Sequence, residues 1–249
     1  MDRRAHHGAH RGWCRVSTPN RIVVRLVSPA LFVGASADGT GADTDVVTDG
    51  HGLPHLPRHR LAARLRAGAV DALTVAPELS EAADRIFGRA RSHGADRILR
   101  LGHAVTGNRV RATVAHALAG RAEPLRSTLR RAITDAYTTL ESGVEIGPDQ
   151  VPEPGRLRTN RVLLPGLVLT APLAWSVPPA PEDWRCLAMA CLATDQIGLR
   201  ATRGRGRVDV CLATAQDPDP HATTLRLAGA PGIGSGPEAA PTRNGRRRP

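Results

Sequence analysis

At 249 residues the chain is long enough for one good-sized core, or for one core with a small lobe. No apolar run reaches the roughly 20 residues that a membrane helix needs, so no membrane partner is expected. The basic start MDRRAHHGAHRGWC lacks the apolar stretch of a secretory signal, so a cytoplasmic location is expected. The net charge of +11 gathers at the ends: the first 25 residues carry six arginines against Asp2, and 238–249 carry four against Glu238. Bulk charge is therefore weak ground for a nucleic-acid partner. The chain has no lysine, so its arginines cannot be read as chosen over lysine for phosphate chemistry.

Aromatic residues are scarce, and the core must be built from Leu, Val, Ile and Ala. Cys14, Cys186, Cys191 and Cys211 form no CxxC pair, so they read as reduced thiols, at least three of them packed inside. Residues 1–18 and 216–249 are rich in Arg, His, Gly and Pro without apolar periodicity and are expected to be disordered tails around one domain, 19–215.

In chain order, NRIVVRLVSP (20–29) alternates Ile22, Val24 and Leu26 and predicts a strand. A long loop, 34–57, follows, with a short extended piece at Val46-Val47. Pro57 then suits the first turn of a helix with Leu61, Ala62, Leu65 and Ala69 on one stripe. Ser80 can cap a short helix closed by Gly88, and RILRLGHAV (97–105) reads as strand. Residues 121–137 predict a helix with Leu125, Leu129 and Ile133 in line. RVLLPGLVLTAPLAWSV (161–177) is a strand pair or a bent strand broken at Pro165-Gly166. PEDWRCLAMACLATDQIG (181–198) has the clearest helical period, and RVDVCLA (207–213) is a closing strand. Without the inserted helices the order is βαββαβ: an α+β class with a ferredoxin-like (RRM-like) core carrying inserted loops and helices.

Three stretches carry candidate chemistry. In IGLRATRGRGRV (197–208) the glycines follow a helix and precede a strand, the reverse of the dinucleotide-binding order, and no G-x-x-x-x-G-K-[ST] is present. What remains is a turn whose N–H groups, with Arg200, Arg203, Arg205 and Arg207, can grip a polyphosphate backbone, or simply a glycine turn with solvated arginines. In ADTDVVTD (42–49), Asp43, Asp45 and Asp49 could hold a divalent metal or act on a proton, or could cap turns in a polar loop. His51, His55 and His59 recur every fourth residue, but Pro54 and Pro57 interrupt any helical metal face.

Together these pieces resemble the RAMP superfamily of CRISPR proteins. There, a strand ending in an apolar-Gly pair precedes a D-x-x-G-x-P-x-I-P-G-S-S-L-K-G-x-x-R segment; Asp49, Pro54, Pro57, Leu61 and Arg64 or Arg66 stand at the matching places. RIFG (85–88) is similar to the family's LFG turn. YTTLESGVEIGPDQ and RLRTNRVLLPGLVLTAPLAW resemble the stretch that leads to a P-G-x-x-F segment, and IGLRATRGRGRV resembles the closing G-G-x-x-S-R-G-x-G-x-V. The likeness runs over about 20–213. The departures are RHRLAA (58–63) in place of G-S-S-L-K-G, Leu199 in place of the second glycine, and Leu169 in place of the phenylalanine.

The resemblance is strongest to the backbone subunit of type III effector complexes. It implies CRISPR RNA and target RNA as partners, together with other effector subunits and copies of the chain itself. It also implies a catalytic role for Asp43, six residues before Asp49, with a divalent Mg2+ or Mn2+ held there for attack by the ribose 2′-OH. The implied RNA-binding residues are Arg58, His59, Arg60 and Arg64 together with Arg200, Arg203, Gly204, Arg205, Gly206 and Arg207. Two other readings stay open: a non-catalytic assembly paralogue, and a guide-processing endoribonuclease whose base is His51, His55 or His59.

Overall fold

A computed structural model describes residues 18–34, 42–89, 97–146, 152–199 and 204–229. The alternation of Ile22, Val24 and Leu26 becomes strand β1 (Arg21–Leu26), with all three side chains buried. It is followed by β2 (His55–Leu56), helix α1 (Arg58–Leu73), a 3-10 turn at Pro77–Leu79 and α2 (Ser80–Phe87). Next come β3 (Leu99–Leu101), β4 (Ala104–Val105), α3 (Asn108–Leu118), α4 (Leu125–Ala136) and the strands β5 (Thr138–Ile146) and β6 (Pro152–Leu163). The chain closes with β7 (Val168–Trp175), α5 (Pro181–Ala193), β8 (Val208–Ala213) and α6 (Pro220–Ala228).

The main sheet runs β2-β4-β7-β1-β8, with β3 also on β7, and every pairing is antiparallel. Leaving out β2, the 3-10 turn, α2, the stretch 106–163 and α6, the chain order is β1, α1, β3–β4, β7, α5, β8, in the α+β class expected from the sequence. β1 is paired on both sides, by β7 and β8, and buries its even-numbered residues in the core, as period-2 alternation requires.

Helix α1 starts directly after Pro57 and buries Leu61, Leu65, Gly68, Ala69 and Ala72 along one stripe. It packs on α5, and Gly68 sits at the crossing: a Cβ there would lie 2.5 Å from both the Ala190 carbonyl and Thr194 Oγ1. At the start of α5, Asp183 is buried; one carboxylate oxygen accepts the Ala180 N–H at 2.8 Å and the other takes Arg85 of α2 at 2.8 Å. One aspartate therefore caps a helix and ties two helices together.

The structure departs from the sequence reading in four places. The 97–105 strand is two short strands. Helix α3, in a stretch with no predicted element, has Val110, Val114 and Leu118 at i, i+4 and i+8, a weak apolar period between Gly107 and Gly120. β5 and β6 pair as a separate two-stranded sheet, so the Pro165-Gly166 break divides strands of different sheets. The tail expected from 216 begins instead with α6, whose N-cap Asp219 accepts the Ala222 N–H at 3.0 Å. Its Thr224 is fully buried and accepts the Leu212 N–H at 2.8 Å, a side-chain-to-strand bond that apolar periodicity does not register. The rest of the expected tails, 1–17 and 230–249, lies outside the described residues.

Candidate nucleic-acid interface

The glycine loop is laid along the chain that leaves β1. Gly206 N–H donates to the Pro29 carbonyl at 2.8 Å, Ile197 N–H to Gly206 at 2.8 Å, and Leu199 N–H to Leu31 at 3.1 Å. Ser28 Oγ accepts the Arg207 N–H at 2.9 Å. Gly206 has φ +72°, and a Cβ on it would strike the Ile197 carbonyl, so this close approach of backbones admits only glycine. Gly204 has open space around it and stands exposed at the turn. Arg205 leaves the expected set of free cations: it is largely buried and ion-paired with Glu141 of β5. Arg207 is exposed, and Arg200 and Arg203 lie outside the described residues.

The four residues expected on α1 divide between its two flanks, because i, i+4 spacing puts Arg60 and Arg64 in one row. On that flank a groove of about 350 Å3 runs between α1 and the glycine loop, floored by Leu31, Phe32 and Leu56, with Gly198 and Leu199 as its far wall. Arg64 Nε donates to the Gln196 carbonyl at 2.8 Å, fixing the loop's entry to the helix. Arg58 and His59 face a different cleft of about 280 Å3, shared with Arg66 and Arg97.

Asp43 sits on the other side of the 31–34 segment. Its N–H donates to the Thr159 carbonyl at 2.7 Å, and its Oδ2 accepts the Thr159 N–H at 2.6 Å, so this residue clamps the loop to β6. The carboxylate is exposed, and Oδ1 has no partner among the described residues. Asp49 serves the turn that follows, accepting the His51 N–H at 2.8 Å and the Leu53 N–H at 3.1 Å. Asp45 is buried, 3.3 Å from Arg161 Nε, and Arg161 Nη1 reaches Asp135 of α4 at 2.5 Å. The three aspartates thus have three different tasks. Among the described residues no group of three His, Cys, Asp or Glu side chains is placed to hold a metal.

The β5-β6 pair joins the two loops, which sequence reasoning did not foresee. Asp43 is anchored at Thr159, the neighbouring Asn160 pairs with Glu141, and Glu141 holds Arg205. Asn160 is almost fully buried, and its Nδ2 has no hydrogen-bond partner among the described residues. The signal for this cross-link is long-range, and nothing local in ESG or RTNR marks it.

The histidines do not gather. His51 lies in the 49–53 turn, His59 on α1, and His55 on β2, where it meets His103 edge-on at 5.3 Å. Burial lowers the His55 pKa below its ordinary 6.5, His103 lowers it further, and Asp49 opposes both. Cys186, Cys191 and Cys211 are free and buried as expected; burial, and then Asp183, push the Cys186 thiol up to about 11.

No family model and no curated protein matches the sequence. Solved structures do match in fold. A chain of the Type III-B Cmr-beta complex in its apo state superposes with a TM-score of 0.58 at 10% identity, covering 80% of this chain and 98% of that one. A chain of the Type III-B Cmr-beta complex bound to cognate target RNA gives 0.55 at 9% identity, covering 78% and 96%. This protein therefore shares its fold with chains of the Type III-B Cmr-beta structures.

Proposed function

We propose that this chain is a CRISPR RNA-binding backbone subunit of a type III effector complex, and that Asp43 acts on target RNA paired to the guide. The observation that carries the reading is the groove between α1 and the glycine loop, with Arg60 and Arg64 over an apolar floor. Guanidinium groups above an apolar trough suit a sugar–phosphate strand, phosphates on the arginines and ribose faces on the floor. Such contacts carry no base identity, so sequence choice falls to pairing with the guide. The fold likeness to chains of the Cmr-beta complex supports the same reading.

In this account Asp43 Oδ1 takes the proton of a ribose 2′-OH. The 2′-oxygen forms a bond to its own phosphorus as the P–O5′ bond breaks, and the leaving oxygen takes a proton from water. The products are a 2′,3′-cyclic phosphate and a 5′-OH, and DNA, lacking the 2′-OH, is spared. No step here passes through a metal.

Effector complexes assembled with Asp43→Ala are expected to retain guide-paired RNA while cutting falls by about 10²–10⁴-fold. Unchanged cutting overturns the role of Asp43. The two-point bond of Asp43 to Thr159 favours a second reading, an assembly subunit without chemistry, because that clamp alone accounts for an aspartate at this position. A lowered melting temperature with unchanged cutting selects it.

A further inference from the structure

The cleft on the far flank of α1 has no part in the groove just described. It is walled by α1, α2 and β3, and Ala63 is the one residue of α1 that lines both hollows. Its floor is Ile86, Phe87 and Leu99, and the small Ala62 and Ala63 keep it open. Arg58, Arg66 and Arg97 stand around it, and none of the three has an ion pair among the described residues.

Three guanidinium groups without a counter-charge among the described residues, around a concave apolar floor with an aromatic ring, call for a ligand of mixed character. One end must be flat and apolar, the other anionic. At about 280 Å3 the hollow is at the small end of ligand sites, so it takes one compact unit rather than a length of peptide. An acidic side chain would satisfy the arginines and leave the floor bare. A nucleotide satisfies both, since any base stacks on an aromatic or apolar face and guanidinium groups grip phosphate.

We propose that this cleft is a second nucleotide seat, holding one base of an RNA strand against Phe87 and Leu99 with its phosphate among Arg58, Arg66 and Arg97. The proposal rests on the RNA-binding reading and extends it. A strand crossing the N-terminal half of α1, a helix about 10 Å across, meets the arginine groove on one flank and the seat on the other.

The test is binding of the full chain to a single-stranded RNA oligonucleotide across a salt series. Arg66→Ala with Arg97→Ala is expected to lower the slope of log affinity against log salt by about 0.7, the loss of one phosphate contact. Ala62→Trp plugs the hollow without changing charge and is expected to weaken binding about tenfold. Arg60→Ala with Arg64→Ala reports on the other groove. If it weakens binding while both cleft changes bind like the parent, the second seat is wrong and the groove stands. If all three bind like the parent, both fall. Weaker binding with the arginine pair but parental binding with Ala62→Trp means charge without a seat for the base, which also overturns the proposal. So does release of the RNA by polyglutamate from the parent but not from Ala62→Trp, because the cleft then takes an acidic peptide.

Discussion

Two helices, α1 in the core and α4 in the stretch 106–163 between β4 and β7, use their apolar residues in opposite ways. In α1 the stripe of Leu61, Leu65 and Ala69 is buried under the core. In α4 the stripe of Leu125, Leu129 and Ile133 has the same period, yet the helix has no buried residue and Leu125 is 49% exposed. What fastens α4 is polar: Thr134 Oγ1 donates to the Gly52 carbonyl at 2.9 Å, and Asp135 meets Arg161 of β6, which also reaches the buried Asp45. A 3.6-residue period reports a face that wants cover, and it does not say that the same chain supplies it.

The sharpest way to break this contrast is Arg161→Ala. It strips α4 of its ionic anchor and leaves Asp45 buried without its main counter-charge, an expected loss of about 3–5 kcal/mol in urea unfolding. A loss under about 1 kcal/mol would mean that α4 is held by something else. A paired test comes next. Leu65→Ala should cost about 2–5 kcal/mol, whereas Leu125→Ala should stay within about 0.5 kcal/mol. Equal losses would erase the distinction between α1 and α4.

The smallest effect concerns His55, on the edge strand that joins the 42–56 segment to the sheet. Its folded pKa lies below its unfolded value, so the stability it contributes is full above about pH 6.5 and is lost as pH falls through the folded pKa. His55→Gln should flatten that acid limb of urea stability. An unchanged limb assigns the loss to other groups.

The core was legible because its signals are local. Ile22, Val24 and Leu26 alternate, Leu61 and Leu65 recur, and Pro57 marks a helix start. The placement of the glycine loop after a helix and before a strand was legible too. The division of α1's basic residues was hidden, because it depends on what packs on each flank: the glycine loop beside Arg60 and Arg64, β3 beside Arg58 and His59. Arg205 reads as one more loop cation until Glu141, 64 positions earlier, arrives from β5. Asp43, Asp45 and Asp49 look alike in sequence; one clamps β6, one is buried against Arg161, and one builds a turn. Each of those differences is made by a residue more than 100 positions away or by a local turn that many aspartates could form.

The central claim, that this chain holds CRISPR RNA, is tested most directly by the RNA it carries. The chain should be purified from its own cells with its partners, and the RNA bound to it sequenced. Short RNAs with spacers flanked by repeat sequence, depleted when Arg60→Ala and Arg64→Ala are introduced together, are the predicted result. A preparation free of RNA, or one carrying only bulk cellular RNA that the two changes leave untouched, would contradict the account.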